Sequence, residues 1–282
     1  MSSAAQSTEG EVLSPASAQD YAPAQPRARH HRDFPVWDPR SAPGTYVLLG
    51  INVAVFLWMV THGVSAKMPT DRQLVHYGAN VTWLVLHGEW WRLLTAMFVH
   101  VGWIHIASNM WCLWNLGILG EPLIGPWGMV AVYVITGAAG NLLSMGRNVL
   151  AYNLSHDHYY LLIPGAGASG AVFGIAGILI VLLSNRKLPF PWEELRRLRS
   201  SVVKFALINL MIGLGTVVIP MGISIDNSAH IGGFLSGLAL GVPLVPRMTA
   251  GRERYFERQR VTFAAACLLL ALVGYYIARM AQ

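Results

Sequence analysis

From residue 45 onward the chain is written in long apolar runs separated by shorter polar stretches. Seven runs are long enough, as helix at about 1.5 Å per residue, to cross about 30 Å of hydrocarbon. They are Thr45–Gly63, Gly102–Gly120, Trp127–Met145, Ala168–Ser184, Val202–Pro220, Ala229–Val245 and Val261–Ala278. The run Trp83–Leu86 is too short to span and reads as lying at the membrane interface. Residues 1–44, rich in Ala, Ser, Pro and Gln with the basic cluster Arg27-Ala-Arg29-His30-His31-Arg32, read as a disordered cytoplasmic tail. Residues 247–260 read as a basic cytoplasmic linker, and 261–282 as a seventh helix with a short tail. The predicted fold is all-α, a polytopic membrane bundle with a six-span core at 45–246 and one helix appended.

Composition agrees with this reading. The 282 residues are 54% hydrophobic and only 12% charged, against about 25% charged in soluble domains. With a mean hydropathy of +0.45, this excludes a soluble globular enzyme and, for the bulk of the chain, intrinsic disorder. The two cysteines, Cys112 and Cys267, sit inside apolar runs, so no disulfide framework is expected. The net charge of +6 comes from basic residues that concentrate on one side. With the N-terminus cytoplasmic, fifteen of the 20 Lys and Arg fall on inner segments, which predicts an outside C-terminus and speaks for positive-inside loops rather than nucleic-acid binding. The opening residues lack the apolar stretch of a secretory signal. Glu9, Glu11 and Asp20 speak against an organelle transit peptide, so the expected location is the bacterial plasma (inner) membrane.

Polar side chains inside spans are costly and default to functional candidates. The second span carries His105 and Asn109, which share a helix face at i, i+4. The fourth opens with Gly165-Ala-Gly167-Ala-Ser169-Gly170, and the sixth with Asn227-Ser-Ala229-His230-Ile-Gly232-Gly233. All three spans run outside to inside. His105, Ser169 and His230 each stand sixteen residues before the inner boundary residue of their span, Glu121, Asn185 and Pro246. That is about 24 Å of helix in about 30 Å of hydrocarbon, a common depth about 6 Å below the outer surface. A serine hydroxyl needs a base to become a nucleophile, and His230 is available. A tetrahedral oxyanion needs donors, for which His105, the Asn109 amide and the Ser169 backbone N–H are candidates. Gly170 and Gly174 make a small-residue face on span four. Ala229, Gly233, Gly237 and Gly241 make one on span six. Packing one face on the other would bring Ser169 to His230.

These motifs together resemble the rhomboid intramembrane serine proteases. The matching pieces are Gly88-Glu-Trp-Trp91-Arg92-Leu-Leu-Thr, His105-xxx-Asn109, Gly167-Ala-Ser169-Gly170-Ala-Val-Phe173-Gly174 and Ala229-His230-xx-Gly233-xxx-Gly237, in family order over about residues 45–246. The resemblance implies a six-span catalytic core with a seventh span appended. It implies a Ser169–His230 dyad that needs no third acid, and an oxyanion hole from His105, Asn109 and the Ser169 N–H. Gly167, Gly170 and Phe173 would support the site, while Trp91, Arg92, Gly233 and Gly237 would be structural. It also implies single-pass transmembrane proteins as substrates, with cleavage through an acyl-enzyme and no cofactor or metal. Glu121 matches an acidic residue of the family, and Leu123 stands where some members carry a basic partner.

Asp226, four residues before His230, reads as an N-cap of the sixth span rather than a triad acid. His156-Asp157-His158 reads as solvated loop rather than a metal site, and His100 as an interfacial residue. No HExxH motif points to a zinc protease. Arg196-Arg197-x-Arg199 reads as a positive-inside anchor touching anionic membrane lipid rather than a nucleic-acid site. The alternative function is a non-proteolytic relative that binds transmembrane helices. The oligomeric state is left open.

Overall fold

The computed structural model describes residues 39–218, 225–245 and 251–281. Most of the expected tail, the end of the fifth run at Pro220 and the start of the 247–260 linker lie outside the described residues.

A 3-10 turn at Pro39–Ser41 leads into α1 (Pro43–Thr61), which has proline in its first turn, where the missing amide is not needed. No side chain of its own caps α1. Glu121 does so from another helix: its carboxylate accepts the Gly44 and Thr45 amides and the Thr45 hydroxyl, each at 2.7 Å. Three donors offset the dehydration of a carboxylate with no solvent exposure. With these donors in place, Leu123 leaves no gap where a basic partner would have stood.

The first outer loop holds α2 (Asp71–His76), started by a Thr70/Gln73 capping box. It continues through β1 (Asn80–Val81), α3 (Thr82–Leu86) and α4 (Arg92–Thr95). The short Trp83–Leu86 run is α3, with Val85 buried and Trp83 exposed. The second and third runs form one continuous element, α5 (Trp103–Ser155), bent at Gly125. Gly125 takes φ +77° between Pro122 and Pro126, a backbone that few other residues adopt. The second half of α5 runs ten residues past Met145. Asn148 is buried there and donates to the Thr82 hydroxyl at 3.0 Å, so polar residues that looked like loop are satisfied inside the protein.

Then come α6 (Tyr159–Leu162), β2 (Pro164–Gly165), α7 (Ser169–Leu182), α8 (Trp192–Val218), α9 (Asn227–Leu244) and α10 (Arg252–Met280). β1 and β2 pair antiparallel, Asn80 with Gly165 and Val81 with Pro164, the one departure from an all-helical fold among the described residues. α8 begins at Trp192 rather than Val202, with Glu193 and Glu194 favourably placed in its first turn. α10 begins at Arg252, so most of the expected linker is helix. The reason is local. Tyr255 donates to the Leu123 and Leu244 carbonyls at 3.2 and 3.3 Å. Arg258 donates to Val245 O at 2.8 Å and Gln259 to Ile124 O at 2.7 Å. These are end-of-helix carbonyls, of the first half of α5 and of α9, which have no partner within their own helices.

α7 is only 14 residues long, about 21 Å, and is sheathed by α5 and α9 with almost every side chain buried. Ile175, Ile178 and Leu179 meet Leu113, Leu116 and Met129 of α5 and Leu240 and Leu244 of α9 in the main core. Along the α7–α9 seam the backbones touch. A Cβ on Gly233 would overlap the Gly170 carbonyl, one on Gly237 the Gly174 carbonyl, and one on Gly177 the Phe234 carbonyl. In lipid, where burial of apolar surface gives helices no net drive to associate, such close approach is a main source of attraction.

Candidate active site

Ser169 is the first residue of α7, and the preceding Ala168 provides no side-chain cap. The first amides of the helix, including that of Ser169, are therefore left without helical acceptors. The segment leading to it is pinned. Gly167 N–H donates to Ala96 O at 2.9 Å, and β2 is held by β1.

His230 lies in the first turn of α9 and is buried. Its neighbour Ala229 packs on the residue after Ser169: a Cβ on Gly170 would sit 3.3 Å from Ala229 O. The His230 imidazole is stacked on Phe173, with ring centroids 4.3 Å apart and planes 11° apart. Its Nδ1 is buried, with no hydrogen-bond partner among the described residues. A flat stack thus orients this ring where a carboxylate would orient it in a triad. Asp226 is engaged elsewhere. Its Oδ1 accepts the Ser228 and Ala229 amides at 3.0 and 3.1 Å, the expected N-cap, and its Oδ2 accepts the Ser144 hydroxyl. The Ser169 hydroxyl makes no hydrogen bond to a described residue, a looseness common in unliganded sites.

His105 enters from the outer end of α5. The Val101 amide donates to its Nδ1 at 3.2 Å, which leaves the ring proton on Nε2. The ring lies against Gly167: a Cβ there would fall 2.6 Å from Cε1 and 3.0 Å from Nε2, and Gly167 has φ +133°. Proximity and backbone both demand glycine. Asn109, one turn below, is buried and donates one amide hydrogen to His105 O at 2.9 Å. His105 thus lies against Gly167, two residues before Ser169, and Ala229, next to His230, lies against Gly170, one residue after Ser169.

His100 is the residue that sequence reasoning misplaced. It is fully buried rather than interfacial. Its ring lies 5.3 Å from that of His105, its Nδ1 meets Phe98 O at 3.2 Å, and its Nε2 accepts the Ala168 amide at 3.4 Å. Burial, with His105 alongside, holds its imidazole well below the ordinary range, at about 3. The one signal was its place as a lone polar residue in the apolar stretch Met97–Ile104, five residues before His105.

The loop motif sits apart from the reacting groups. Arg92 is buried, bonded to Glu89 at 2.7 Å and to the Val75 and Ala79 carbonyls at 2.7 and 3.1 Å. Its guanidinium lies 4.5 Å from the ring centre of the half-exposed Trp91. Gly233 and Gly237 form the seam. Among the described residues no group of three His, Cys, Asp or Glu side chains is arranged for a metal. His156, Asp157 and His158 are exposed.

Comparison with known proteins places this arrangement. A family model, the Rhomboid domain, matches residues 87–247. The chain is 35% identical over 204 residues to rhomboid protease GluP of Bacillus subtilis, across 71% of this chain and 35% of that protein. It is 30% identical over 243 residues to rhomboid protease AarA of Providencia stuartii, across 82% of each. Rhomboid-like protease 2 of Toxoplasma gondii is 26% identical over 239 residues, across 81% of this chain and 76% of its own length. The chain therefore spans about a third of the GluP protein and most of the other two. With the family model over more than half of the residues and AarA aligned along four fifths of both proteins, the chain belongs to the rhomboid family of multi-pass intramembrane serine proteases.

Proposed function

We propose that Ser169 and His230 form a catalytic dyad that cuts the transmembrane segments of single-pass membrane proteins. The observation that carries this is the packing of Ala229 on Gly170, which brings the uncapped helix start at Ser169 beside the turn bearing His230, whose ring is stacked on Phe173 and whose Nδ1 has no partner among the described residues. Ser169 Oγ attacks the scissile carbonyl carbon while His230 Nε2 takes its proton. The negative charge on the carbonyl oxygen is met by His105 Nε2–H, the free hydrogen of the Asn109 amide and the Ser169 N–H. The tetrahedral adduct collapses to an ester on Ser169 as His230 returns the proton to the leaving amine. Water, deprotonated by His230, then attacks the ester, releases the carboxylate and restores the hydroxyl.

In this reading residues 45–246 are the catalytic unit, with the 1–44 tail, the segment after α9 and α10 appended. The basic bias supports an inner bacterial membrane, with the N-terminus inside and the C-terminus outside. The substrate segment must unwind locally, because a helix keeps its carbonyls in internal hydrogen bonds.

The test is cleavage of a single-span fusion protein by purified wild type, Ser169→Ala and His230→Ala, with a serine-directed fluorophosphonate probe alongside. Cleavage and Ser169 labelling by wild type alone are expected. Cleavage surviving in Ser169→Ala would overturn the mechanism. Binding of the fusion without cleavage or labelling by any of the three would leave a helix-binding protein instead.

A further inference from the structure

α8 changes character along a single face. At 3.6 residues per turn, Glu193, Arg196, Arg197, Ser200 and Lys204 fall within about a third of its circumference. The opposite face holds Leu195, Val202 and Ala206, all buried against the core. Further along, the basic face continues as Leu207, Ile208 and Met211, which are 56%, 58% and 65% exposed. Residues so apolar and so exposed on a spanning helix face hydrocarbon. The same face a turn or two nearer the inner end therefore meets lipid headgroups sideways rather than open water.

The cations there are of two kinds. Arg186 and Arg199 lie over the Trp192 ring at 4.5 and 5.5 Å, and Arg199 donates to the Ser184 hydroxyl at 3.1 Å. Arg196, Arg197 and Lys204 form no ion pair among the described residues. With Glu193, Arg199, Ser200, Ser201 and Val203, all on α8 itself, they border an open recess of about 860 Å³ along the helix. Three unneutralised cations and the Ser200 hydroxyl around a recess are complementary to a phosphodiester, while Ser201 donates to the Arg197 carbonyl at 3.2 Å. The apolar track above it is complementary to acyl chains.

We propose that this recess binds the headgroup of an anionic phospholipid. Arg196, Arg197 and Lys204 hold its phosphate, and Leu207, Ile208 and Met211 bed its chains. A zwitterionic lipid would bring its own ammonium into a cationic recess and is disfavoured. A soluble phosphate would satisfy the cations but leave the apolar track uncovered. The inference does not depend on the catalytic reading.

The test is native mass spectrometry of the full chain released from nanodiscs of phosphatidylglycerol and phosphatidylcholine. It compares wild type, Arg196→Gln/Arg197→Gln/Lys204→Gln, and the charge control Arg254→Gln/Arg260→Gln on exposed positions of α10. Retention of phosphatidylglycerol by wild type and control is expected, with an affinity about a hundredfold lower in the triple variant. Unchanged thermal unfolding of the triple variant in zwitterionic micelles would show that it folds. Equal retention by all three proteins would overturn the proposal. So would inorganic phosphate displacing the lipid from wild type at concentrations comparable to the lipid's own, which would mark a free-anion site.

Discussion

The α7–α9 seam and α8 flank the same histidine and are built on opposite principles. At the seam backbone lies on backbone, and Gly177, Gly233 and Gly237 leave no room for even one carbon. α8 meets the rest of the protein through side chains. Phe205 reaches Phe173, with ring centroids 6.2 Å apart, while Leu207, Ile208 and Met211 face outward. The seam has one geometry, because carbonyls cannot move aside as side chains can. The α8 contact tolerates adjustment. Phe173 touches both, stacked flat on His230 and tilted against Phe205.

The contrast breaks most severely at Gly237→Val. The new side chain would meet the Gly174 backbone, and a loss of about 4 kcal/mol or more is expected, seen as collapse of thermal unfolding in micelles. A melting temperature within a few degrees of wild type would mean that the seam yields. The next test concerns the loop entering α7. His100 is held at about 3 when folded, below its ordinary 6.5. Its neutral form therefore contributes full stability above pH 6.5, and this is lost as pH falls toward 3. Between pH 6.5 and 4 the loss is about 3 kcal/mol. His100→Gln keeps a donor and an acceptor without titrating, so its stability should fall less steeply with acid. Parallel pH curves for the two proteins would remove His100 from this role.

Phe173→Leu keeps an apolar side chain at the junction and removes the stack, so kcat should drop about tenfold with KM little changed. An equal rise in KM would point to substrate contact instead. Asp226→Asn retains a good N-cap and is expected to keep most of the activity in the same cleavage assay. A loss comparable to His230→Ala would bring Asp226 into the chemistry. Smallest of all, Leu207→Ala on the outward face of α8 should change stability by about 0.5 kcal/mol or less, read from the same melts.

Much of this was legible in the sequence because lipid narrows the choices. A span must be apolar, so Ser169, His105, Asn109 and His230 stand out against their surroundings, and the four-residue spacing of Gly233 and Gly237 announces a close helix contact. Asp226-Asn227-Ser228 announced its cap. What stayed hidden depended on partners distant in sequence. His100 resembles any polar residue near a membrane surface until the Ala168 amide, 68 residues away, is brought to it. Residues 252–260 look like linker because they are charged, and become helix because Tyr255, Arg258 and Gln259 find carbonyls on α5 and α9. Ser144 gave no sign of meeting Asp226, 82 residues on.

The interhelical cap on α1 has a consequence for biogenesis. The amides of Gly44 and Thr45 are satisfied by a residue 77 and 76 positions downstream. A nascent first span thus enters the bilayer with its opening amides unmet and relies on headgroups or water until Glu121 arrives. The carbonyls at the α5 bend wait longer still, for partners 132 and 135 residues later. The opening of α1 is thus complete only once the first half of α5 is in place, and the α5 bend only once α10 is. A chain lacking α10 would leave those carbonyls without the Tyr255 and Gln259 donors.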